Sequence, residues 1–365
     1  MGVGISRDPI DAQIRAAFEA IERSCLEGPL PSRPILASFS DVQENAVDPA
    51  LLCNFGDDDV PGRSRARYID VLRKTSLAWI WADRLPEGTR TLIPVQLVYL
   101  HHLCDEPLIR PQISTGAAAH TCLDLAVLNG IFECIERDAY MLHYLPSSSP
   151  ALVNPCGRTA GMFDYFARYR LDVQLFDITT DDIQIPAYVC LNVDRTGNGP
   201  AVAVGLASGT NPELIMEKAI LESQQVRQWI RYLHVSRRIP TKNASGRSVT
   251  TEYERAALWY DISSLSPLAL LASTKTAQSS SLPPALSPKP TLDSLVEHLN
   301  GCSISVYVAD ITTPSFENAG LSVVKVIAPE LHPLYLSEAT PCRFSARLNH
   351  RLKGTRVNTY PHPFL

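Results

Sequence analysis

One segment, residues 123–144, constrains the fold more than any other, because apolar side chains cover almost every side of it when it is drawn as a helix. A helix that is apolar nearly all round is buried. The same segment carries Glu133, Glu136 and Arg137, and an ionised carboxylate in a buried place is costly unless it is paired or bound to a metal. The segment therefore predicts a buried helix whose two glutamates need a partner.

Two other predicted helices carry a similar charged signature. Its members are Glu19, Glu22 and Arg23 in a helix predicted over about 9–26, and Glu222, Gln225 and Arg227 in a helix predicted over about 212–233. Residues three or four apart share one face of a helix, so each pair of carboxylates or amides points the same way. Taken singly, such a run is typical of a solvated face with local ion pairs, and an ion-pair network among the three helices remains the alternative interpretation.

The rest of the pattern predicts an α+β fold with mixed β-sheets and packed helices. Strands are expected at about 91–100, 172–194 (strand, turn, strand), 202–205, 303–308 and 321–327, and a further helix at about 292–299. Residues 173–180 and 305–313 both read as an apolar strand that ends in Asp-Ile-Thr-Thr, and each precedes a second apolar run. This echo indicates an internal duplication, with a chance recurrence of turn residues as the alternative.

Length and composition narrow the class of protein. A chain of 365 residues suits one large domain or two intimately packed ones. The formal charge of −5 argues against a nucleic-acid binder, although basic residues cluster at 227–238 and 343–356. No stretch approaches the roughly 20 apolar residues that span a membrane. Residues 275–291, rich in Ser, Thr, Pro and Ala, are interpreted as a flexible surface loop.

The nine cysteines form no Cys-x-x-Cys pair, which favours free thiols in a reducing cytosol over disulfides or a zinc ribbon. A soluble cytoplasmic protein is therefore predicted. Converging glutamate oxygens suit Mg²⁺, and nearby arginines suit phosphate. Neither a Walker A loop nor a dinucleotide-binding Gly-x-Gly-x-x-Gly follows any predicted strand, and a hydrolase Gly-x-Ser-x-Gly motif is also absent from the sequence. The residues thus favour a metal-bridged nucleotide site outside the common nucleotide folds.

Four stretches in this order resemble the YcaO-domain family of ATP-dependent enzymes that modify peptide backbones. They are residues 2–6 with 16–23, residues 116–126 leading into 133–139, residues 204–227, and the Pro-rich end at 361–365. The resemblance spans nearly the whole chain and implies a single YcaO-like domain over 1–365. The Gly-rich start normally follows a further N-terminal segment in this family, and that segment is expected to be missing here.

The resemblance implies roles residue by residue. The metal-binding carboxylates would be Glu19, Glu22, Glu133 and Glu136; the nucleotide would meet Thr121, Arg137, Glu222, Gln225 and Arg227; and Pro361, Pro363 and Leu365 would form a catalytic tail. Thr121 stands where an Asn is usual, and Leu125 stands where the pattern often has Glu. Arg15 and Val3 replace a common Ser and Lys, and Leu365 replaces a final Pro.

The implied activity is ATP- and Mg²⁺-dependent activation of backbone amides in a ribosomally synthesised peptide of natural-product biosynthesis, as in bacterial members of the family. A nucleophile adds to the amide carbonyl, ATP phosphorylates the oxyanion, and loss of phosphate completes the reaction. Cyclodehydration of Cys, Ser or Thr to azolines is the first reading, and thioamide or amidine formation is the second. A catalytically weakened scaffold that binds a precursor peptide is the third, favoured by the expected lack of the N-terminal segment and by the departures at Val3, Arg15, Thr121 and Leu125.

The expected partners follow from the same resemblance. They are a precursor peptide and a separate protein, related either to ubiquitin-activating enzymes or to TfuA, with a homodimer as a further possibility. The sequence predicts neither a nucleic-acid nor a membrane partner.

Overall fold

The computed structural model describes residues 2–30, 33–102, 105–236, 249–268 and 291–365. The loop interpretation of residues 275–291 falls, up to residue 290, outside these ranges. In chain order the helices are α1 (Pro9–Leu26), α2 (Phe39–Val42), α3 (Pro49–Leu52), α4 (Arg65–Lys74), α5 (Leu123–Tyr144), α6 (Gly157–Ala167), α7 (Pro212–Val235), α8 (Glu252–Tyr260), α9 (Leu292–Gly301), α10 (Pro314–Glu317) and α11 (Ala346–Leu352).

The strands are β1 (Ile35–Ser38), β2 (Ser76–Leu85), β3 (Thr89–Pro94), β4 (Ala117–His120), β5 (Ala151–Leu152), β6 (Leu171–Asp177), β7 (Ala187–Asp194), β8 (Val202–Ser208), β9 (Val306–Asp310) and β10 (Ser322–Ile327). Short 3₁₀ turns lie at Asp57–Asp59, Pro61–Arg63, Val95–Leu97 and Ile262–Leu265. None of the helices within the described ranges is both long enough and apolar enough to cross a membrane.

The chain divides into two compact units. Unit 1 comprises Met1–Cys134, Pro290–Tyr335 and Thr340–His350, and unit 2 comprises Ile135–Lys289, Leu336–Ala339 and Arg351–Leu365. Unit 1 holds a sheet in the order β1-β2-β9-β10-β4, with β3 also paired to β2. Unit 2 holds a sheet in the order β5-β6-β7-β8, and α7 packs against β8 and β7.

The α+β class is confirmed, but the strand pairs of both sheets are antiparallel rather than mixed. The parallel contact in the described residues is an isolated bridge between Ala46 and Leu92. Several neighbouring strands follow each other directly in sequence, such as β6, β7 and β8, and short connections of this kind favour antiparallel pairing.

The echo in the sequence corresponds to the same local structure in each unit. Asp177 ends β6 and its side chain accepts a hydrogen bond from the Thr179 N–H at 2.9 Å. Asp310 ends β9 and accepts from the Thr312 N–H, also at 2.9 Å. Each strand then pairs antiparallel with the next strand in the chain. An Asp that bonds the backbone two residues later makes a compact turn, so the repeated sequence builds a repeated strand–turn–strand unit.

Two helices begin as the sequence predicts. The Asp8 carboxylate accepts hydrogen bonds from the N–H groups of Ile10 and Asp11 at the start of α1, with Pro9 in the first turn. Asn211 plays the same part at the start of α7. Both helices therefore start within a residue of the predicted position.

The strand predicted at 91–100 is shorter than expected. β3 ends at Pro94, and a 3₁₀ turn at Val95–Leu97 follows. Proline has no N–H to donate to a strand ladder, which explains the end of the pairing there.

The prediction of a buried α5 is confirmed. Met141 and Tyr140 are fully buried, Asp138 is also fully buried, and Glu136 is 4% exposed. The first turn differs, since Leu123 and Leu125 are exposed.

Candidate functional site

The N-terminal segment of unit 1 lies directly on the backbone of α1. A Cβ at Gly2 would stand 1.9 Å from the Ala16 carbonyl oxygen, and a Cβ at Gly4 would stand 2.1 Å from that of Ala12. Glycine is therefore required at both positions. This close approach brings the Val3 N–H to Oε2 of Glu19, to which it donates a hydrogen bond.

Glu19 is engaged through both carboxylate oxygens. Besides the bond from Val3, its Oε1 accepts from Nε of Arg23 at 3.0 Å and lies 2.9 Å from an Nη of the same guanidinium. These contacts hold the N-terminal segment and the side of α1 together.

Glu22 and Glu133 are both fixed by backbone N–H groups at β4. The Ala119 N–H donates to Oε1 of Glu22 at 2.9 Å. The Gly116 N–H, just before the strand, donates to Oε2 of Glu133 at 2.8 Å. A short piece of backbone thus orients a carboxylate from α1 and a carboxylate from α5. A carboxylate has about four lone-pair positions, so one such bond leaves it able to act as a metal ligand.

The Glu22 carboxyl is in a site that disfavours its own charge. Burial raises its pKa to about 7, the Ala119 hydrogen bond opposes the rise, and the nearby carboxylates of Glu133 and Glu19 increase it. Crowded carboxylates that resist ionisation are stabilised by a cation placed between them. Hard oxygen donors of this kind suit Mg²⁺, so the residues present in unit 1 fit that ion.

A second group of charged side chains lies in unit 2. Glu136 is paired with Arg137 across 2.7 Å, and both side chains are buried. The guanidinium of Arg137 also lies over the Phe364 ring, 4.1 Å from its centroid, in a cation–π arrangement. Arg137 is therefore held in one orientation by a carboxylate and an aromatic face.

Glu222 repeats in unit 2 the situation of Glu22. Its Oε2 accepts a hydrogen bond from the Leu206 N–H of β8 at 2.7 Å. Burial raises its pKa to about 7, the carboxylate of Glu136 raises it further, and Arg137 acts in the opposite direction. Unit 2 thus also holds a glutamate pair whose mutual repulsion a cation would relieve.

Arg227 is placed differently from Glu222. Its Nη2 donates to Oδ2 of Asp194 at 2.7 Å, and both side chains are buried. Gly199 covers this ion pair so closely that a Cβ there would lie 2.8 Å from Nη2. The guanidinium is thus committed to a carboxylate of β7. Of the other nucleotide candidates, Gln225 is half-buried on α7, and Thr121 is exposed directly after β4.

The last residues of the sequence are threaded into unit 2. The Tyr144 hydroxyl contacts the carbonyl oxygens of Tyr360 and Pro361 at 3.1 and 3.2 Å. Nη1 of the fully buried Arg255 donates to the His362 carbonyl at 2.6 Å. Pro363 is buried, while Pro361 and Leu365 are half-buried. The predicted tail therefore has a fixed path, and its Phe364 contacts Arg137.

Within the residues that the structure describes, no group of three or more His, Cys, Asp or Glu side chains is gathered closely enough to hold a metal on its own. Mg²⁺ usually takes only one or two carboxylates and completes its shell with water and substrate phosphates, so pairs of glutamates suit it. Each of the eight described cysteines is free.

A family model described as YcaO cyclodehydratase, ATP- and Mg²⁺-binding, matches residues 3–332. The chain belongs to the YcaO family. ATP and Mg²⁺ are the ligands of that family, as the carboxylate pairs of both units suggest.

Two curated proteins are similar in sequence. An uncharacterised protein of Methanothermobacter thermautotrophicus is 25% identical over 237 residues, which cover 62% of this chain and 56% of that protein. A protein of Rhizobium leguminosarum bv. trifolii, named as an uncharacterised protein in the tfuA 3′ region, is 30% identical over 129 residues, 33% of this chain and 30% of that protein. The matched part thus spans about half, or less, of the length of these relatives.

Solved structures share the fold. A heterocyclase in complex with substrate and cofactor superposes with a TM-score of 0.77 at 19% identity, covering 100% of this chain and 49% of that one. YcaO from Methanopyrus kandleri, bound with AMPPCP and Mg²⁺, superposes with a TM-score of 0.64 at 18% identity, covering 94% and 82%. The YcaO-like architecture predicted from the motifs is confirmed.

Sequence reasoning missed the residues that orient these YcaO carboxylates. The backbone amides of Gly116 and Ala119 carry no sequence signal of their own. Lys325 does carry one, because it interrupts the apolar strand β10, and its side chain is 2% exposed. Burial lowers the pKa of Lys325 to about 8, and the nearby carboxylate of Glu133 opposes that shift. A lysine inside an otherwise apolar strand could have been singled out from the sequence on charge alone.

Proposed function

We propose that this YcaO protein uses ATP and Mg²⁺ to activate backbone amides of a ribosomally synthesised peptide, and that it forms azolines from Cys, Ser or Thr residues. The observation that supports this most is the pair of crowded glutamates in each unit, Glu22 with Glu133 and Glu222 with Glu136, at positions that match the family's motifs. Such pairs call for a divalent cation and discourage a purely structural role.

The chain's own residues would divide the work. In unit 1, Glu22 and Glu133 would hold Mg²⁺. In unit 2, Glu136 would serve as a metal ligand, and Arg137 would meet the nucleotide phosphates with Glu222 beside it. Glu19, which already accepts from Val3 and Arg23, would support α1 rather than bind the metal directly. Arg227 would support α7 through Asp194.

Held with Mg²⁺ by these residues, ATP would supply the phosphoryl group that makes the amide oxygen a leaving group. The protein's part is to position the reactants and to stabilise charge, as in other phosphoryl transfers. The fixed path of the tail, with Pro361 and Pro363, would shape the site where the peptide reacts. The Phe364 ring keeps the guanidinium of Arg137 oriented for this task.

Thioamide formation is the second candidate. It is favoured by the relative whose name places it in a tfuA 3′ region, and it would require a TfuA-like partner. The azoline reading is favoured by the structural likeness to a heterocyclase and would require a partner related to ubiquitin-activating enzymes. In both cases the precursor peptide is the substrate.

The test is ATP turnover with Mg²⁺ and the peptide encoded beside the gene, followed by mass spectrometry. Loss of one water per modified residue would identify azolines, whereas replacement of one oxygen by sulfur would identify thioamides. If millimolar ATP does not bind, the scaffold reading replaces both.

Glu136→Gln gives the matching residue test. We expect it to abolish nucleotide binding while the protein stays folded, because the amide keeps the shape of the side chain but removes the charge. Asp124→Asn makes the same charge change in the exposed first turn of α5 and should bind normally. If Glu136→Gln unfolds and the wild type never binds ATP, the carboxylates are structural.

A further inference from the structure

Lys325 is buried in β10, and its ammonium group donates hydrogen bonds to backbone oxygens. Its Nζ donates to the carbonyls of Ile113 and Thr115, at 2.6 Å each. A buried ammonium is costly unless its donors are satisfied. Two short charge-assisted bonds to one loop therefore fix residues 113–115 against the strand.

The next residue of that loop, Gly116, is fixed from both sides. Its carbonyl accepts a hydrogen bond from the Val326 N–H at 2.7 Å. Its φ is +88°, and a Cβ there would stand 2.2 Å from the Val326 oxygen. On the other side, a Cβ at Gly130 of α5 would stand 2.7 Å from the Gly116 oxygen. Only glycine permits this approach.

The chain of contacts that begins at Lys325 leads to the carboxylate of Glu133. The Gly116 N–H that donates to Glu133 follows directly after the two carbonyls held by Lys325. The position of that N–H depends on the loop, and the loop depends on the lysine. Partners of a metal ligand set its orientation and affinity, typically by 10–100-fold.

We propose that Lys325 is a positioning residue for the metal site: by holding residues 113–115 it places the Gly116 N–H that orients the carboxylate of Glu133. This inference rests on the proposed function, since Glu133 is a metal ligand only there. Lys325 is assigned no contact with metal or nucleotide, because two of its three N–H donors are taken by the loop.

The experiment compares Lys325→Met, which keeps the length of the side chain but removes its donors, with Val323→Ala, two residues away in the same strand. Val323 is fully buried, so its truncation leaves a cavity and lowers stability without touching the loop's hydrogen bonds. Mn²⁺ binding in the presence of AMPPCP is measured by electron paramagnetic resonance. Hydrogen exchange of residues 113–116 is measured in parallel.

We expect the Kd for Mn²⁺ to rise at least about tenfold in Lys325→Met and to stay within about twofold in Val323→Ala, at a comparable loss of thermal stability. Exchange of residues 113–116 should accelerate in the first variant alone. Should Lys325→Met fail to fold, Lys325→Gln, which retains an amide donor, is expected to give an intermediate Kd and intermediate exchange.

Equal Mn²⁺ affinity in the wild type and the lysine variants would overturn the inference while leaving the proposed function intact. The same holds if Val323→Ala weakens the metal as much as Lys325→Met does. A wild-type protein that binds no Mn²⁺ with AMPPCP would overturn both.

Discussion

Glu19 and Glu22 stand almost one turn apart on α1, yet the structure gives them different partners. Glu19 accepts from Val3 and from the guanidinium of Arg23. Glu22 accepts from a backbone N–H and faces the carboxylates of Glu133 and Glu19. The first is electrostatically satisfied and the second is not, so their charges should matter for different properties.

We expect Glu22→Gln to weaken Mg²⁺-dependent ATP binding by at least about tenfold, the size of effect seen even when partners of metal ligands are lost. Glu19→Gln should weaken it by less than about fivefold, because partly exposed ion pairs contribute at most about 1 kcal/mol. Titration calorimetry at fixed ATP with increasing Mg²⁺ measures both. Each variant removes one negative charge from the same helix, so a difference between the two variants does not come from a change in net charge. Equal losses would show that Glu19 is also a ligand.

At this scale the sequence predicts the acidic side chains better than their partners. Helical spacing alone places Glu19 with Glu22 and Glu133 with Glu136 on shared faces. It cannot predict that Glu22 meets the Ala119 N–H, 97 residues away in sequence, or that Arg227 is taken by Asp194. Such contacts depend on how strands and helices pack, and a backbone N–H looks the same at every position.

At the scale of elements, helix α7 packs directly on strand β8, beside the site residue Glu222. A Cβ at Gly205 would lie 2.1 Å from the Ala219 oxygen and 2.3 Å from the Ser223 nitrogen, so the helix backbone rests directly on the strand. The following residue, Leu206, donates its N–H to Glu222. The distance between helix and strand therefore sets the position of this carboxylate.

Gly205→Ala should push α7 away from β8. We expect a loss of about 1–3 kcal/mol or more in the free energy of unfolding, as for other overpacked interiors, together with weaker ATP binding through Glu222. Urea denaturation and ATP titration give the two values.

Gly161→Ala is the matched control for that variant. Gly161 lies inside α6, and a Cβ there would meet nothing within 4 Å. Alanine at this position should stabilise unit 2 by up to about 1 kcal/mol. A Gly205→Ala protein as stable as the wild type would contradict the close packing.

Element boundaries were predictable where local chemistry sets them. Asp8 and Asn211 mark helix starts, and α1, α5 and α7 follow from apolar periodicity. The C-terminal end of β3 and the start of β9 were not predictable from apolar residues. Pro94 ends β3, although apolar residues continue beyond it. The turn at Ser303, where φ is +61°, delays the start of β9. Periodicity marks the middle of a strand better than its ends.

For the whole molecule, stability in acid depends on buried groups whose pKa values are shifted in opposite directions. Burial lowers the pKa of His332 in unit 1 and of His143 in unit 2 to about 4. Burial raises the pKa of Glu22 and Glu222 to about 7. The histidines make the folded state bind fewer protons than the unfolded chain as pH falls below about 6.5, whereas the glutamates make it bind more. The pH dependence of the free energy of unfolding is the difference between these opposing contributions. The contribution of a single group therefore has to be isolated by substitution.

His332→Gln isolates one of them. The neutral ring contacts Oγ of Ser345 at 2.9 Å and the Cys342 carbonyl at 3.1 Å, and Arg110 and Arg347 further disfavour its protonation. A folded pKa of about 4 lies below the ordinary 6.5. The contribution of His332 to the free energy of unfolding is therefore complete above pH 6.5. It is lost between pH 6.5 and pH 4, by up to about 3 kcal/mol.

The measurement is urea unfolding at pH 7.5 and pH 5 with metal chelated, so that the glutamates contribute equally to every variant. We expect the wild type to lose more stability on acidification than His332→Gln does, by up to about 2 kcal/mol at pH 5. His350→Gln, which removes an exposed histidine from α11, is the matched control for the loss of a histidine. If His332→Gln loses as much stability on acidification as the wild type and the control do, folding does not lower the pKa of His332, and the acid sensitivity of unit 1 has another origin.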